Sequence, residues 1–322
     1  MKKPINIGII GLGFGKNYLR TFNELRNASV KWVCSRSRKT INQVLSGTKT
    51  ELRTRTTTNY KDIFKDKNTE AVAIVTPGST HYKLAREALL ANKHVIVEKP
   101  VAFKSKEVED LISISKKRKK VFMAGHLHLF NPGIRKIKHD MENKVFGRIN
   151  SIYSIHTSKG IIRKDMSALW DFFPHPVSIA LYLLGKMPLT VKAYGISYLQ
   201  KGMEDMAFME LTFPNNMVLT AFCSWLSPER KMELNIVGDK IYAAFDDYAK
   251  EKLMYYNLAK NKNYPKQIES KKPLTEQLKH FLYCIENNKR PLTDGYEALN
   301  VTKVLEAAEK SLKSKKTVSI AK

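Results

Sequence analysis

The sequence predicts an α/β protein in two parts, a doubly wound parallel sheet followed by an α+β domain with a mostly antiparallel, open-faced sheet. Three observations lead there. Short apolar runs rich in β-branched residues alternate with helical-period segments through the first 125 residues. A glycine-rich turn separates the first run from the first helix. Beyond Gly125 the texture changes to a succession of strands with few helices between them.

In order, the apolar runs place strands at 5–10, 30–34, 71–76, 94–97 and 121–124. Unbroken apolar strands of this kind are buried on both faces, as in a parallel sheet. Tyr82, Ala85 and Leu89 recur at helical spacing, as do Val108, Leu111, Ile112 and Ser115. The second part opens with a helix over 132–143, a strand over 148–158 and a helix over 176–184. Strands follow at 191–199, 206–213, 217–225, 232–237 and 240–245. The PNN at 214–216 is the turn between two of them. Ala207, Met209, Leu211 and Phe213 are alternately apolar, so one sheet face packs inward. A lysine-rich linker is expected over 259–272, and the domains are expected at 1–124 and 125–322.

The chain has 322 residues and a net charge of +26. Such a charge suits an anionic partner, whether nucleic acid, a phosphorylated substrate or a membrane surface. The runs that produce it read as solvated surface. Lys116-Lys117-Arg118-Lys119-Lys120 closes an amphipathic helix, where cations favour the negative end of the dipole. The lysines between Lys250 and Lys272 fall largely in the connecting segment. No helix-turn-helix, zinc-finger or aromatic RNA-binding signature supports nucleic acid as a partner. Cys34, Cys223 and Cys284 are far apart and odd in number, which points to a reducing cytoplasm rather than a disulfide framework or a metal knuckle. INIGII already reads as a core strand at residue 5, leaving no signal sequence. No apolar run approaches the roughly 18 residues of a membrane span. A soluble cytoplasmic protein is expected.

INIGIIGLGFGKN sets Gly11-Leu12-Gly13-Phe14-Gly15-Lys16 between the first strand and the first helix. Glycines in that place let the backbone approach a pyrophosphate seated on the helix N-terminus, as in a Rossmann dinucleotide-binding domain. The third glycine falls one position early and Lys16 takes the usual place. The second strand reads VKWVCSRSRK, with Ser35 where an acid would hold the ribose of NAD. Ser35, Arg36, Arg38 and Lys39 suit a 2′-phosphate instead, so the expected cofactor is NADP, with NAD as the alternative.

The segment AVAIVTPGSTHYKLAREALLANKHVIVEKP resembles the Gfo/Idh/MocA oxidoreductases, which include glucose–fructose oxidoreductase and inositol dehydrogenases. Thr76, Pro77 and His81 match the family's TPxxxH segment, and Glu98, Lys99 and Pro100 its EKP. Asn92 departs, standing where a glycine is usual. GHLHLFNP (125–132) and LWDFFPHPVSIALYLLG resemble a nucleotide-sugar subgroup similar to UDP-N-acetylglucosamine 3-dehydrogenase. Asp171 and His175 match its DxxxH pair, while Pro176 replaces an acid. SWLSPERKMELNIVGDKIYAAFDD and PLTEQLKHFLYCIENNKRPLTDG extend the likeness over the chain. The resemblance implies cofactor contacts at residues 11–16, Ser35, Arg36, Thr76, Pro77, His81, Glu98 and Lys99. It also implies a cis bond at Lys99–Pro100 and a substrate site formed by Lys99, His128, Asp171 and His175.

The implied chemistry makes physical sense of these residues. Taking hydride from a secondary alcohol requires removal of the hydroxyl proton, and a histidine does this best near neutral pH. Asp171 and His175, four apart, share one helical face, so the carboxylate can orient the imidazole. Lys99 offers a positive charge to the developing oxyanion. His126 and His128 share a strand face but lack a third ligand, so no metal is expected. Cys34 reads as core. The leading expectation is oxidoreduction of a sugar, above all at carbon 3 of a UDP-N-acetylhexosamine. A free-sugar or inositol dehydrogenase is the alternative enzyme, and a non-catalytic dinucleotide-binding sensor the alternative class. The open sheet face implies a homodimer or homotetramer.

Overall fold

The computed structural model describes residues 3–47, 54–159 and 162–320. The chain forms two compact units, one of Met1–Leu127 with Lys272–Leu299 and one of His128–Lys271 with Asn300–Lys322.

In the first unit the order is β1 (Ile5–Ile10), α1 (Gly15–Asn23), β2 (Ala28–Cys34), α2 (Arg38–Ser46), β3 (Arg55–Thr57), α3 (Lys61–Lys65), β4 (Ala71–Ile74), α4 (His81–Leu90), β5 (His94–Val97), α5 (Ser105–Arg118) and β6 (Phe122–Ala124). Six parallel strands run in the order β3-β2-β1-β4-β5-β6. The strand order therefore reverses between β1 and β4, and ligands of such sheets bind outside the carboxyl ends at that reversal. Ile7, Ile9, Val33, Val72, Ile74, Val95 and Val97 are buried, which explains why these strands read as unbroken apolar runs. Lys119 adopts left-handed backbone at φ 53° and closes α5 with bonds to Lys116 and Ser115, so the basic run does end a helix.

The second unit contains α6 (Pro132–Glu142), β7 (Ile149–Thr157), α7 (Ala168–Phe172), α8 (Pro174–Leu184), β8 (Thr190–Ile196), β9 (Met206–Thr212), β10 (Val218–Ser224), β11 (Lys231–Gly238), β12 (Ile241–Asp246), β13 (Leu253–Asn257) and β14 (Lys262–Pro265). The chain then continues through α9 (Pro273–Glu286) and α10 (Gly295–Ser314) to β15 (Val318–Ser319). The nine-stranded sheet runs β14-β13-β12-β11-β7-β10-β9-β8-β15, antiparallel except where β7 meets β10. Ala207, Met209 and Leu211 are buried, while Phe208 between them is exposed, as alternation requires. Asn215 and Asn216 take positive φ in the turn between β9 and β10.

Three expectations need correction. The lysine-rich segment 259–272 is not all linker, because β13 and β14 pair as an edge hairpin. All four residues of β14 are exposed, so no alternation marked it. The helix expected from residue 176 begins at Pro174, where a missing N–H costs nothing in the first turn. The division at 124/125 runs along the chain, whereas residues 272–299 belong with the first unit. There α9 buries Leu278, Phe281 and Leu282, and Asn27 donates to Glu286 at its end across 2.7 Å. Ala124 and Thr293 bond reciprocally, the Ala124 N–H to Thr293 O and the Thr293 hydroxyl to Ala124 O, each at 2.7 Å.

Candidate active site

In the first unit the candidate residues gather at the carboxyl ends of adjacent strands, because each motif directly follows one. Ladder-type bonds hold these ends level: Gly11 N–H to Cys34 O (2.9 Å), Val75 N–H to Ile10 O (2.8 Å), Glu98 N–H to Ile74 O (2.9 Å) and Gly125 N–H to Val97 O (2.7 Å).

The glycine turn divides its labour. Gly11 has φ +92°, and a Cβ there would lie 2.3 Å from the Val75 carbonyl oxygen, so only glycine fits. Gly13 is exposed, and a Cβ would meet nothing within 4 Å. Gly15 opens α1, whose first turn has no side-chain cap. Bare backbone beside uncapped helical N–H groups fits the pyrophosphate of a dinucleotide. Leu12 is buried, so only its backbone can face that group, while Phe14 and Lys16 are exposed. After β2, Ser35 is half-buried and Arg36 exposed. Ser37 caps α2 by accepting the Thr40 N–H at 3.4 Å, and Arg38 and Lys39 occupy its first turn, which contains no acid.

After β4, the Thr76 hydroxyl lies 2.7 Å from that of Thr80, which donates to the Pro77 carbonyl at 2.7 Å. His81 is only 1% exposed, with both ring nitrogens against backbone carbonyls. Its ring thus braces the turn from within. After β5, the Glu98 carboxyl accepts from the Tyr18 hydroxyl at 2.6 Å and from the Lys99 N–H at 3.2 Å. Although Glu98 keeps some surface, its carboxyl is enclosed, and burial raises its pKa against the lowering effects of Tyr18 and Lys99. The same burial, then the Glu98 charge, pushes the Tyr18 phenol up. Glu98 is therefore anchored in the scaffold on Tyr18. Gly125 makes room for it, since a Cβ would sit 2.9 Å from Glu98 Cα. Lys99 follows, half-buried, and its bond to Pro100 is cis.

His126 and His128 do not share a strand face. The strand ends at Ala124, His126 pairs with Glu297 at 2.5 Å, and His128 lies in a 3₁₀ turn over Leu127–Phe130. Among the described residues, no group of three or more His, Cys, Asp or Glu side chains is arranged to hold a metal ion, and no helix is long and apolar enough to cross a membrane. A recess of about 270 Å³ lined by Lys116, Lys120, Lys289 and Arg290 opens elsewhere on the first unit. It contains none of the candidate residues.

In the second unit, Asp171 lies in the last turn of α7 and His175 in the first turn of α8. Phe173 between them keeps helical backbone, and the bonds Phe173 N–H to Leu169 O (3.0 Å) and Val177 N–H to Phe173 O (3.1 Å) carry the turn through. The four-residue spacing thus does place the pair on one helical face. The indole N–H of Trp225, just after β10, donates to Asp171 Oδ2 at 3.1 Å. His175 is 8% exposed and stacks on the His156 ring, centroids 5.1 Å apart and planes at 23°. His128 meets it edge-on at 4.5 Å, and Phe172 stacks on the other partner, His156, at 4.6 Å. Sequence reasoning missed His156. A single histidine inside a strand carries no motif, and only the packing of β7 under α7 and α8 reveals it.

Residues 5–126 match the oxidoreductase family with an NAD-binding Rossmann fold, and residues 134–243 match the GFO/IDH/MocA C-terminal domain. The uncharacterized oxidoreductase YrbE of Bacillus subtilis (strain 168) is 25% identical over 347 aligned positions, covering 99% of this chain and 98% of that protein. The UDP-N-acetylglucosamine 3-dehydrogenase of Acidithiobacillus ferrooxidans is 28% identical over 178 residues, 55% of each chain. A structure of levoglucosan dehydrogenase in complex with NADH and levoglucosan superposes with TM-score 0.88 at 17% identity, covering 99% of this chain and 100% of that one. At that identity it shows the fold. The two family matches together span more than half of the sequence, and the chain belongs to the Gfo/Idh/MocA family of oxidoreductases.

Proposed function

We propose that the chain moves hydride between NADP and a secondary hydroxyl or ketone of a sugar, with carbon 3 of a UDP-N-acetylhexosamine as the position oxidised. The observation that carries the reading is the gathering of the glycine turn, Ser35, Thr76 and Lys99 at one edge of the parallel sheet, astride its reversal. The partial match to a UDP-N-acetylglucosamine 3-dehydrogenase supports the choice of sugar. A diphosphate substrate also suits a chain of net charge +26.

When bound, the nicotinamide supplies the carbon that accepts or returns hydride. In the oxidative direction, the His175 imidazole takes the hydroxyl proton as the C–H pair leaves. Asp171, fixed by Trp225, shares its helical face and favours the protonated ring. Lys99 contributes positive charge to the oxygen, stabilising it as it becomes an oxyanion or polarising it as a ketone. Ser35 can donate to a 2′-phosphate without the repulsion an acid would bring, and Arg36 can fork onto it. His128, packed on His175, belongs to the substrate side of this assignment.

We also assign the open sheet face to self-association, as a homodimer or homotetramer. Tyr194, Phe208 and Phe222 stand side by side across β8, β9 and β10, with Tyr194 52% and Phe208 46% exposed. Sedimentation of the pure protein tests this, and a monomer at micromolar concentration refutes it. For the reaction, a panel of UDP-sugars, free sugars and inositols is offered with each oxidised dinucleotide, and absorbance of the reduced nicotinamide is followed. UDP-N-acetylhexosamines are expected to give the highest kcat/KM. A panel led by glucose or myo-inositol establishes the alternative, a free-sugar or inositol dehydrogenase.

A further inference from the structure

We infer that His81 is a positioning residue that carries a proton on both ring nitrogens, a buried imidazolium tying the Thr76 turn to the peptide that follows Lys99. The inference rests on the proposed role of Lys99 for its functional meaning, but its chemistry stands on geometry alone.

His81 opens α4 and is 1% exposed. Its Nδ1 lies 2.7 Å from the Pro100 carbonyl oxygen and its Nε2 lies 2.7 Å from the Thr76 carbonyl oxygen. A carbonyl oxygen can only accept. A neutral imidazole has one N–H and one lone pair, so one of these two contacts would set lone pair against lone pair at full hydrogen-bond distance. The imidazolium donates to both. Burial opposes the charge, and so does the positive end of α4, and two charge-assisted bonds are what offsets them.

The position of the clamp gives it a use. β4 and β5 pair in register up to Ile74 and Val97, and the Glu98 N–H to Ile74 O bond is the last rung between them. Pro100 has no N–H with which to extend the ladder. The His81 ring supplies donors to both strand ends beyond that rung. It thereby fixes the carbonyl immediately after Lys99, and through it the point from which the Lys99 side chain starts.

The test begins with nitrogen NMR of the histidine rings in the full chain, His81 being assigned by difference from a His81→Asn variant. At neutral to mildly alkaline pH both His81 nitrogens are expected to resonate as protonated. A neutral-tautomer signature for His81 in that range overturns the inference. In the His81→Asn variant, kcat is expected to fall about tenfold or more, while the dinucleotide Kd changes by less than about threefold, since misplacement rather than lost binding is the defect. A folded variant with unchanged kcat overturns the positioning role. If that variant does not fold, His81 is assigned instead by elimination from single substitutions of the other histidines, and the NMR of the native protein remains the deciding measurement. Absence of turnover in the native chain refutes the proposed reaction and leaves the ring nitrogens still to be read.

Discussion

Two alanines placed two residues apart in the glycine turn should fail in opposite ways. At Gly11 the backbone has φ +92°, and the added Cβ would lie 2.3 Å from Val75 O, 2.7 Å from Val75 C and 2.9 Å from Thr76 Cγ2. The two nearest atoms are backbone and cannot swing aside. Left-handed backbone alone costs a non-glycine residue about 1–2 kcal/mol, and shifting the Val75 peptide adds to it. A total of about 3 kcal/mol would lower the melting temperature by roughly 6–12 °C for a unit of this size. At Gly13 a Cβ meets no atom within 4 Å, so stability should change by less than about 0.5 kcal/mol. The methyl group would instead occupy the space above the uncapped first turn of α1, where the pyrophosphate is assigned. Loss of even one close backbone contact there should raise the dinucleotide Kd about tenfold or more, equivalent to about 1.4 kcal/mol. Thermal melts and fluorescence titrations with NADH and NADPH separate the two effects. Wild-type affinity in Gly13→Ala would refute the assignment of that space to the pyrophosphate, and an unshifted melt in Gly11→Ala would refute the close approach to Val75.

Three further outcomes follow from the same reasoning. Lys99→Met and His175→Asn should each lose at least about a hundredfold in kcat while still binding dinucleotide, with Asp171→Asn between them and wild type; near-normal turnover in both would place the chemistry elsewhere. NADPH should bind more tightly than NADH, because one charged hydrogen bond contributes about 1.5–3 kcal/mol, and Ser35→Asp with Arg36→Ile should reverse the order; tighter NADH binding to the native chain rejects the reading of Ser35. Burial, then the Lys120 charge, holds His94 at about 4. Its unfolded form takes up a proton first as pH falls, so the stability it contributes is complete above about pH 6.5 and lost progressively toward pH 4, by at most about 3 kcal/mol. Denaturant melts across that range should show the slope, and His94→Gln should flatten it.

The first sheet was legible because parallel strands covered on both faces must be apolar throughout, and Val72, Ile74, Val95 and Val97 obey that rule. β3 escaped because its residues read Arg-Thr-Thr and only Thr57 is buried. The edge strand β14 escaped for the same reason, since an exposed edge is free to be polar and its composition matches a linker. The assignment of α9 to the first unit had no local mark at all. Leu278, Phe281 and Leu282 define an apolar stripe that would look the same against either unit, so the sequence states that the helix is covered without stating by what.

The candidate site divides along a similar line. A motif shows that a residue is constrained, but burial and partners decide what constrains it. Gly13 and Lys99 keep surface at the strand ends, as a ligand-facing role demands. His81 lies in the TPxxxH segment and Glu98 stands beside Lys99 in the EKP, yet their side chains are taken up by the scaffold, His81 by the Thr76 and Pro100 carbonyls and Glu98 by Tyr18. Asp171 and His175 show the complementary case. Their spacing was readable as one helical face, but a face fixes direction only to within a turn. The carboxylate accepts from the indole of Trp225, 54 positions further on, whose backbone N–H in turn donates to Asp205 O at 2.9 Å. The ring of His175 is set by His156 from yet another strand. Neither partner stands at a spacing that any periodicity could have picked out. Trp225→Phe should therefore leave the fold of α7 and α8 intact while releasing Asp171. If the carboxylate works by orienting His175, this variant should lose activity in the same direction as Asp171→Asn and by a smaller factor. Activity equal to wild type would mean that Asp171 needs no anchor, and that its place in the helix alone orients the histidine.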